Sequence, residues 1–169
     1  GFNYGYFAMR DKLSKVSHER RYQELIGSTD HRFPEGKGRR WLQLALDPNM
    51  GIEYYPDLFA LFQVLPLGVD KTLIKTSTYS PPNLSAEERQ MQEINVALLD
   101  EVNEQDKTLV ERIQRGVNTT GYQPGPLALA ESAVYSFHER IRELIPVARL
   151  PEAPLRGTLH QENVRMKGE

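Results

Sequence analysis

The feature that most constrains this chain is residues 85–116, which have the pattern of one long amphipathic helix interrupted by a single acid. Residues three and four apart are neighbours on a helix, so one stripe is apolar and consists of Leu98, Val102, Leu109 and Ile113. Asp106 lies inside that stripe. An ionised carboxylate there costs several kcal/mol unless a cation or hydrogen-bond donors meet it. We therefore expect a metal ligand or general base, an ion pair with a basic residue of a sheet, or a charge at a wet edge of the stripe.

Both ends of this predicted helix carry recognisable signals. Ser85 with Glu88 three residues later is a capping box, in which each side chain accepts from a backbone N–H that has no partner within the helix. Gly116 marks the C-terminal end, and Arg112 and Arg115 suit the negative end of the helix dipole. The sequence therefore predicts where the helix begins and ends.

Length and composition indicate one globular domain over 1–169. Hydrophobic residues make up 39% and charged residues 26% of the 169 residues, which is ordinary for such a chain. The net charge of −2 does not suggest a nucleic-acid or membrane partner, and we expect a cytoplasmic setting. The chain has no cysteine, which excludes disulfides and thiolate metal ligands from its own residues.

The middle of the chain predicts an antiparallel meander. β-rich composition and turn residues indicate strands at 41–46, 51–55, 58–65 and 72–79, and the alternating aromatic residues of 2–10 indicate a further strand or an extended segment that lines a pocket. The 58–65 strand is apolar on both faces, which predicts a central strand covered on both sides. Segment 11–26 indicates one or two short exposed helical turns, and 27–40 a surface loop. A second helix is expected at 128–145 and a loose tail at 147–169. Strands followed by helices predict an α+β fold.

The histidines do not complete a metal site by pattern. Non-haem iron is commonly held by two histidines and one carboxylate, but the four histidines form no close pair on one element. His138 lies near the apolar face of the last helix, where a buried histidine with satisfied hydrogen bonds is the expected reading. His18, His31 and His160 lie in polar or loop contexts and are expected to be exposed.

The run 103–141 closely resembles the C-terminal end of the α subunits of Rieske non-haem iron oxygenases, the aromatic-ring-hydroxylating and N-demethylating type. The resemblance covers about 41–146, because the DPN turn after residue 46 and the "LPLGVDKT" segment also match family features. The matching positions are Glu104, Asp106, Leu109, Val110, Gln114, Gly116, Gly121, Tyr122, Gly125, Pro126, Leu127, Glu131, Val134 and Phe137.

The resemblance implies a helix-grip (Bet v 1-like) catalytic domain, incomplete in this chain, with an antiparallel sheet and a long helix packed across it. It implies that Asp106 is the carboxylate ligand of a mononuclear Fe(II), with no other catalytic residue in this chain. It also implies that Leu99 and Val102 line the substrate pocket. The aromatic side chains of Tyr4 or Tyr6 would suit a ring or a quaternary ammonium equally well.

The family's Rieske [2Fe-2S] ligands and both iron histidines have no counterpart in this sequence, and are expected before residue 1. The resemblance implies hydroxylation or oxidative demethylation of a small organic, typically aromatic, substrate with O₂. It also implies a ferredoxin or reductase as electron donor, and a homotrimer or hetero-oligomer. The alternative is a truncated helix-grip module that binds an apolar ligand without catalysis.

Overall fold

The computed structural model describes residues 2–29, 38–68 and 70–168. Its contacts divide the chain into two compact units. One unit comprises Tyr4–Ala45 and Asn49–Pro124, and the other comprises Gly1–Asn3, Leu46–Pro48 and Gly125–Glu169. The single domain over 1–169 stays a prediction.

The sheet has five strands in the order in which they occur along the chain. They are β1 (Phe2–Ala8), β2 (Arg40–Leu46), β3 (Met50–Tyr54), β4 (Phe59–Pro66) and β5 (Thr72–Tyr79). β3 pairs with β4 and β4 with β5 in antiparallel register, because their short connections allow no crossover. The α+β fold with an antiparallel sheet is therefore confirmed.

The expectation that the fourth strand is covered on both faces is wrong. Ala60 is the only buried residue of β4. β4 lies second from the edge, and its neighbour β5 is the edge strand. Seven of the eight residues of β5 are exposed, so the apolar side chains on this side of the sheet stay accessible to solvent.

The prediction of short exposed helical turns at 11–26 is wrong, because most of this segment belongs to a longer helix with a buried face. Helix α1 (Ser17–Thr29) has 13 residues, and it buries Tyr22, Leu25 and Ile26 in a cluster with Met91. Burying such side chains stabilises the pair of helices by roughly 1.5–3 kcal/mol for each large apolar residue. The N-terminal part of the predicted loop 27–40 therefore belongs to a core helix, whereas His31 lies outside the described residues.

Helix α2 (Ala86–Val117) has 32 residues and confirms the long helix. The backbone N–H of Ser85 donates to the Glu88 carboxylate at 2.7 Å, and that of Glu88 donates to Ser85 Oγ at 3.2 Å. Its N-terminal half is partly covered, with Met91 and Asn95 buried. Every residue from Asp100 to Gly116 is exposed, so only one half of the helix contributes to a core.

The helix-grip packing stays a prediction. Within the described parts of the chain, α2 packs mainly against α1. It reaches the β3–β4 connection through polar side chains: Gln92 donates to the backbone oxygen of Asp57 at 3.4 Å, and Asn95 donates to the Asp57 carboxylate. The structure therefore fixes this helix to a turn at the end of two strands.

The second unit contains the remaining helices. A 3-10 turn (Leu129–Glu131) leads into α3 (Ser132–Leu144), and a second 3-10 turn (Pro146–Arg149) precedes α4 (Leu159–Lys167). The tail predicted to be loose thus contains a helix, which packs against the turn at Pro146–Arg149. No helix in the described residues is long and apolar enough to cross a membrane.

Candidate functional site

An open pocket of about 640 Å³ lies in the larger unit. It is bounded by the end of β1 and the segment after it, by α1, by the N-terminal half of α2, and by two aromatic residues of the sheet side. Its volume lies within the range of ligand-binding pockets. The α2 wall is formed by the polar Asn95 and by the apolar Leu98, Leu99 and Val102. The structure thus places both residues that the sequence assigned to a pocket, Leu99 and Val102, at one cavity.

The aromatic side of the pocket is formed by Trp41 and Tyr55. The ring of Trp41 stacks on Phe7 with centroids 5.3 Å apart, and on Tyr55 with centroids 6.0 Å apart. Stacked pairs of this kind stabilise a fold by roughly 0.5–1.5 kcal/mol beyond their burial. The stack therefore holds the Tyr55 ring in place at the pocket wall.

The side chains of Tyr4 and Tyr6 lie at the surface of the protein. Each is 65% exposed, and the two rings contact each other edge to face at 6.1 Å. Neither ring lines the cavity. Alternation along β1 correctly identified a strand, but it did not show which aromatic side chains of neighbouring strands meet the helices.

A buried carboxylate lies behind the pocket wall. Asp57 is 4% exposed. Tyr22 Oη donates to Asp57 Oδ1 at 2.8 Å, while Asn95 Nδ2 donates to Oδ1 at 2.9 Å and to Oδ2 at 3.1 Å. Tyr22 and Asn95 themselves line the pocket. The network joins α1, α2 and the β3–β4 connection, so it fixes the three elements that form one end of the cavity.

Burial has the largest effect on the pKa values of Asp57, Glu53 and Tyr55. Desolvation raises the pKa of Asp57 above its usual value, and the hydrogen bonds from Tyr22 and Asn95 oppose that rise. Desolvation likewise raises the pKa of Glu53, whose Oε2 accepts from Tyr55 Oη at 3.2 Å. Burial, together with the nearby Glu53 and Asp57, raises the pKa of the Tyr55 phenol. Two carboxylates therefore lie close to the aromatic end.

The opposite side of the pocket carries basic side chains. Arg10, Lys12 and Lys15 line it, with Glu19 as the one acidic lining residue. The Glu19 carboxylate accepts from Ser14 Oγ at 2.5 Å. In the part of the chain that the structure describes, none of the three basic residues forms an ion pair.

Of the three alternatives that the sequence left open for Asp106, its surroundings match the last, a charge in contact with water. Asp106 is exposed, and so are its apolar neighbours: Val102 is 51%, Leu109 55% and Val110 62% exposed. The stripe exists as the helical spacing predicts, but of its four residues Leu98 alone packs against the core, and the other three are exposed. A carboxylate on an uncovered stripe is hydrated, and no desolvation penalty applies. Burial therefore lends no support to Asp106 as a ligand, and position within the resemblance alone supports it.

The described histidines do not join Asp106 in a group of side chains that could hold a metal. His18 Nε2 lies 3.6 Å from the Glu101 carboxylate, and His160 is exposed as expected. The expectation that His138 is buried is wrong, since it is exposed, with its ring 6.4 Å from that of Phe137. Across 2–29, 38–68 and 70–168, no three acidic or histidine side chains group as a metal site. These residues thus do not hold an iron by themselves.

Sequence reasoning missed the Tyr22–Asp57–Asn95 network and the aromatic pair at the pocket. The Pro56-Asp57 pair indicated only a turn that ends a strand. The hydrogen-bonding partners of Asp57 lie 35 and 38 residues away, so no local pattern links them. An isolated Asn95 on the covered half of an amphipathic helix was the one available signal.

Comparison with known proteins places this geometry in a family. Residues 3–146 match the family model described as the ring hydroxylating alpha subunit (catalytic domain). The matched region contains the pocket, the buried network and Asp106. No solved structure was found to match the chain.

Several characterised relatives share part of the sequence. The glycine betaine monooxygenase oxygenase subunit of Chromohalobacter salexigens is 34% identical over 104 residues, 62% of this chain and 22% of its own length. The chloroplastic choline monooxygenase of Beta vulgaris is 25% identical over 126 residues, 72% of this chain and 28% of its own. The chloroplastic choline monooxygenase of Spinacia oleracea is 28% identical over 120 residues, which are 69% of this chain and 27% of that protein's length. The chain thus spans about a quarter of the length of these relatives.

Proposed function

The chain belongs to the ring-hydroxylating α-subunit family of Rieske-type oxygenases, and on that premise we propose that it forms part of an oxygenase catalytic domain acting on a small quaternary ammonium compound. The match over residues 3–146 is the observation that carries the proposal. The substrate class follows from the names of the relatives, which are choline and glycine betaine monooxygenases. Those names do not support the aromatic substrate expected from the sequence.

The proposal places the substrate in the pocket beside Leu99 and Val102. The apolar residues of the α2 wall and the rings of Trp41 and Tyr55 suit the methyl groups of such a compound. Tyr22 and Asn95, fixed by Asp57, would orient it from one end. The family match does not favour the alternative of a non-catalytic module for apolar ligands.

We further propose Asp106 as the carboxylate ligand of a mononuclear iron. In the described residues it has no histidine partners, so the site needs two histidines from outside them. A two-histidine, one-carboxylate iron leaves positions free for O₂ and substrate. The described residues supply only this one candidate ligand.

Membership of this family also implies a second cofactor and protein partners. The chain contains no cysteine, so a Rieske [2Fe-2S] cluster would depend on thiolates from elsewhere. A ferredoxin or reductase as electron donor, and a homotrimer or hetero-oligomer, are part of the proposal. The cytoplasmic setting is a proposal too, and the plant relatives are named as chloroplastic.

Iron analysis of the protein purified anaerobically from its source tests this function. We expect iron in the native assembly, and O₂ consumption with NAD(P)H that depends on a quaternary ammonium substrate. Asp106→Ala should remove the iron, whereas Glu111→Gln, an exposed acid on the same helix, should retain it. An iron content that Asp106→Ala leaves unchanged would rule out Asp106 as the ligand. A native assembly without iron would overturn the oxygenase proposal.

A further inference from the structure

We propose that Asn95, which lines the pocket, determines its ligand specificity. The amide oxygen of Asn95 selects a ligand that carries an O–H or N–H donor beside an apolar body, over a ligand of similar shape without a donor. This inference rests on the proposed function for the use of the pocket as a ligand site. It goes further, because it assigns one atom of the chain to one feature of the ligand, whatever the charge of that ligand.

The carboxylate of Asp57 determines which way the Asn95 amide faces. Asn95 Nδ2 donates to Asp57 Oδ1 at 2.9 Å and to Oδ2 at 3.1 Å. An ionised carboxylate only accepts hydrogen bonds, so the nitrogen of the amide must point to it. The two residues are 3% and 4% exposed, which leaves the amide little room to turn over. Asn95 Oδ1 therefore points away from the carboxylate.

The amide oxygen of Asn95 has no donor in the part of the chain that the structure describes, since both side-chain hydrogen bonds of Asn95 run from Nδ2. Among the described residues, the side-chain polar atoms that are sealed from solvent and lack a partner belong to Arg39 and Arg140. Asn95 Oδ1 is therefore not sealed, and the pocket is the open space that Asn95 lines. An acceptor on such a buried side chain gains from a donor that enters the pocket.

The hydroxyl group of Tyr22 adds a second acceptor at the same end of the pocket. Its one O–H donates to Asp57 Oδ1 at 2.8 Å, so toward the pocket that Tyr22 lines its oxygen offers only lone pairs. The neighbouring side chains of Leu98 and Leu99 offer no hydrogen bond. A ligand with a donor at this end and an apolar body along the leucines matches both features. An ether oxygen in the same place would face two acceptors without a proton between them.

Uncharged probes that share a tert-butyl body test this selection. Neopentyl alcohol has an O–H donor and pivalamide has N–H donors, whereas neopentyl methyl ether has no donor. Ligand-observed NMR titration of the native protein, which suits weak ligands, measures the dissociation constant of each probe. We expect the alcohol and the amide to bind about fivefold more tightly than the ether, which is roughly the effect of one hydrogen bond.

Two substitutions separate the acceptor from the packing around it. Asn95→Leu keeps the approximate size of the side chain and removes the oxygen, so the alcohol should bind about fivefold more weakly and no better than the ether. Asp57→Asn keeps the shape of the network but can donate as well as accept, so it no longer fixes the Asn95 amide; the preference for the alcohol should fall below about twofold, with ether binding unchanged. Asn103→Leu, the same substitution at an exposed position of α2 outside the pocket, is the matched control. Circular dichroism confirms that each variant is folded.

The proposal is overturned if the ether binds the native protein as tightly as the alcohol and the amide, or if no probe binds. It is also overturned if Asn95→Leu keeps the preference of the Asn103→Leu control, or if Asp57→Asn does so where Asn95→Leu does not fold. Equal weakening of all three probes would show a structural role alone and would overturn it as well. These titrations do not depend on iron, so a failure here leaves the iron test of the proposed function standing, and loss of the iron proposal leaves a measured preference intact.

Discussion

Deleting the hydroxyl group of Tyr22 tests whether the buried network holds the pocket together. Tyr22 is 7% exposed, and its hydroxyl group donates to Asp57 Oδ1 at 2.8 Å. Its ring packs in the cluster that joins α1 to α2. Tyr22→Phe keeps the ring and removes only the donor, so the change in the free energy of unfolding reports the hydrogen bond rather than the packing.

A hydrogen bond to a charged group contributes about 1.5–3 kcal/mol, and we expect Tyr22→Phe to lower the free energy of unfolding by that amount at pH 7. The loss should be smaller at pH 4. Burial raises the pKa of Asp57 in the folded state, and the Tyr22 hydrogen bond counteracts part of that rise. Without this bond the folded-state pKa rises further above the unfolded value.

The sign of the pH effect follows from proton binding. A carboxyl group with a raised folded-state pKa binds more protons when folded than when unfolded, so its contribution to stability falls as pH rises through the interval between the two pKa values. Tyr22→Phe widens that interval upward. The variant therefore loses more stability than the wild type between acidic and neutral pH.

Urea unfolding at pH 4 and pH 7, followed by circular dichroism, measures this difference. Tyr54→Phe is the control, because Tyr54 lies on β3 and is 55% exposed, and it should change stability by less than about 0.5 kcal/mol. A Tyr22→Phe loss that is equal at both pH values would refute an ionised Asp57 as the acceptor. A loss no larger than that of the control would refute the network itself.

Two further predictions concern the elements that position the site. Gly51→Ala should destabilise the protein by about 1–3 kcal/mol, because a Cβ at Gly51 would lie 1.9 Å from Cζ of its cross-strand partner Phe62. Thermal unfolding should show this loss, and adding Phe62→Leu to the same chain should recover part of it. An unchanged melting temperature of Gly51→Ala would contradict the pairing of Gly51 with Phe62. Ser85→Ala should cost about 1 kcal/mol by opening the capping box with Glu88, measured by urea unfolding. An equal loss in Ser77→Ala, on β5 away from any helix terminus, would show that the effect is not capping.

The sequence was most informative where the physics is local. The capping box of α2 depends on two residues three positions apart, and β5 was predicted with its observed bounds, Thr72–Tyr79. Short connections between strands force antiparallel neighbours, so the order from β2 to β5 also follows from the sequence, whereas the position of β1 beside β2 was seen only in the structure. The resemblance added the family, which the match over 3–146 confirmed.

Burial was decided only by tertiary structure. Helical spacing defines a stripe around Asp106 but does not say what covers it, and in this structure the C-terminal half of α2 is exposed. Asp57 shows the reverse: a residue in a Pro-Asp turn is buried because α1 and α2 bring Tyr22 and Asn95 to it. Hydrogen-bond capping and side-chain periodicity act within a few residues, whereas desolvation depends on which distant segments pack together. The sequence by itself therefore determined the strands, the long helix α2 and the family, and the tertiary structure decided which polar groups form the pocket.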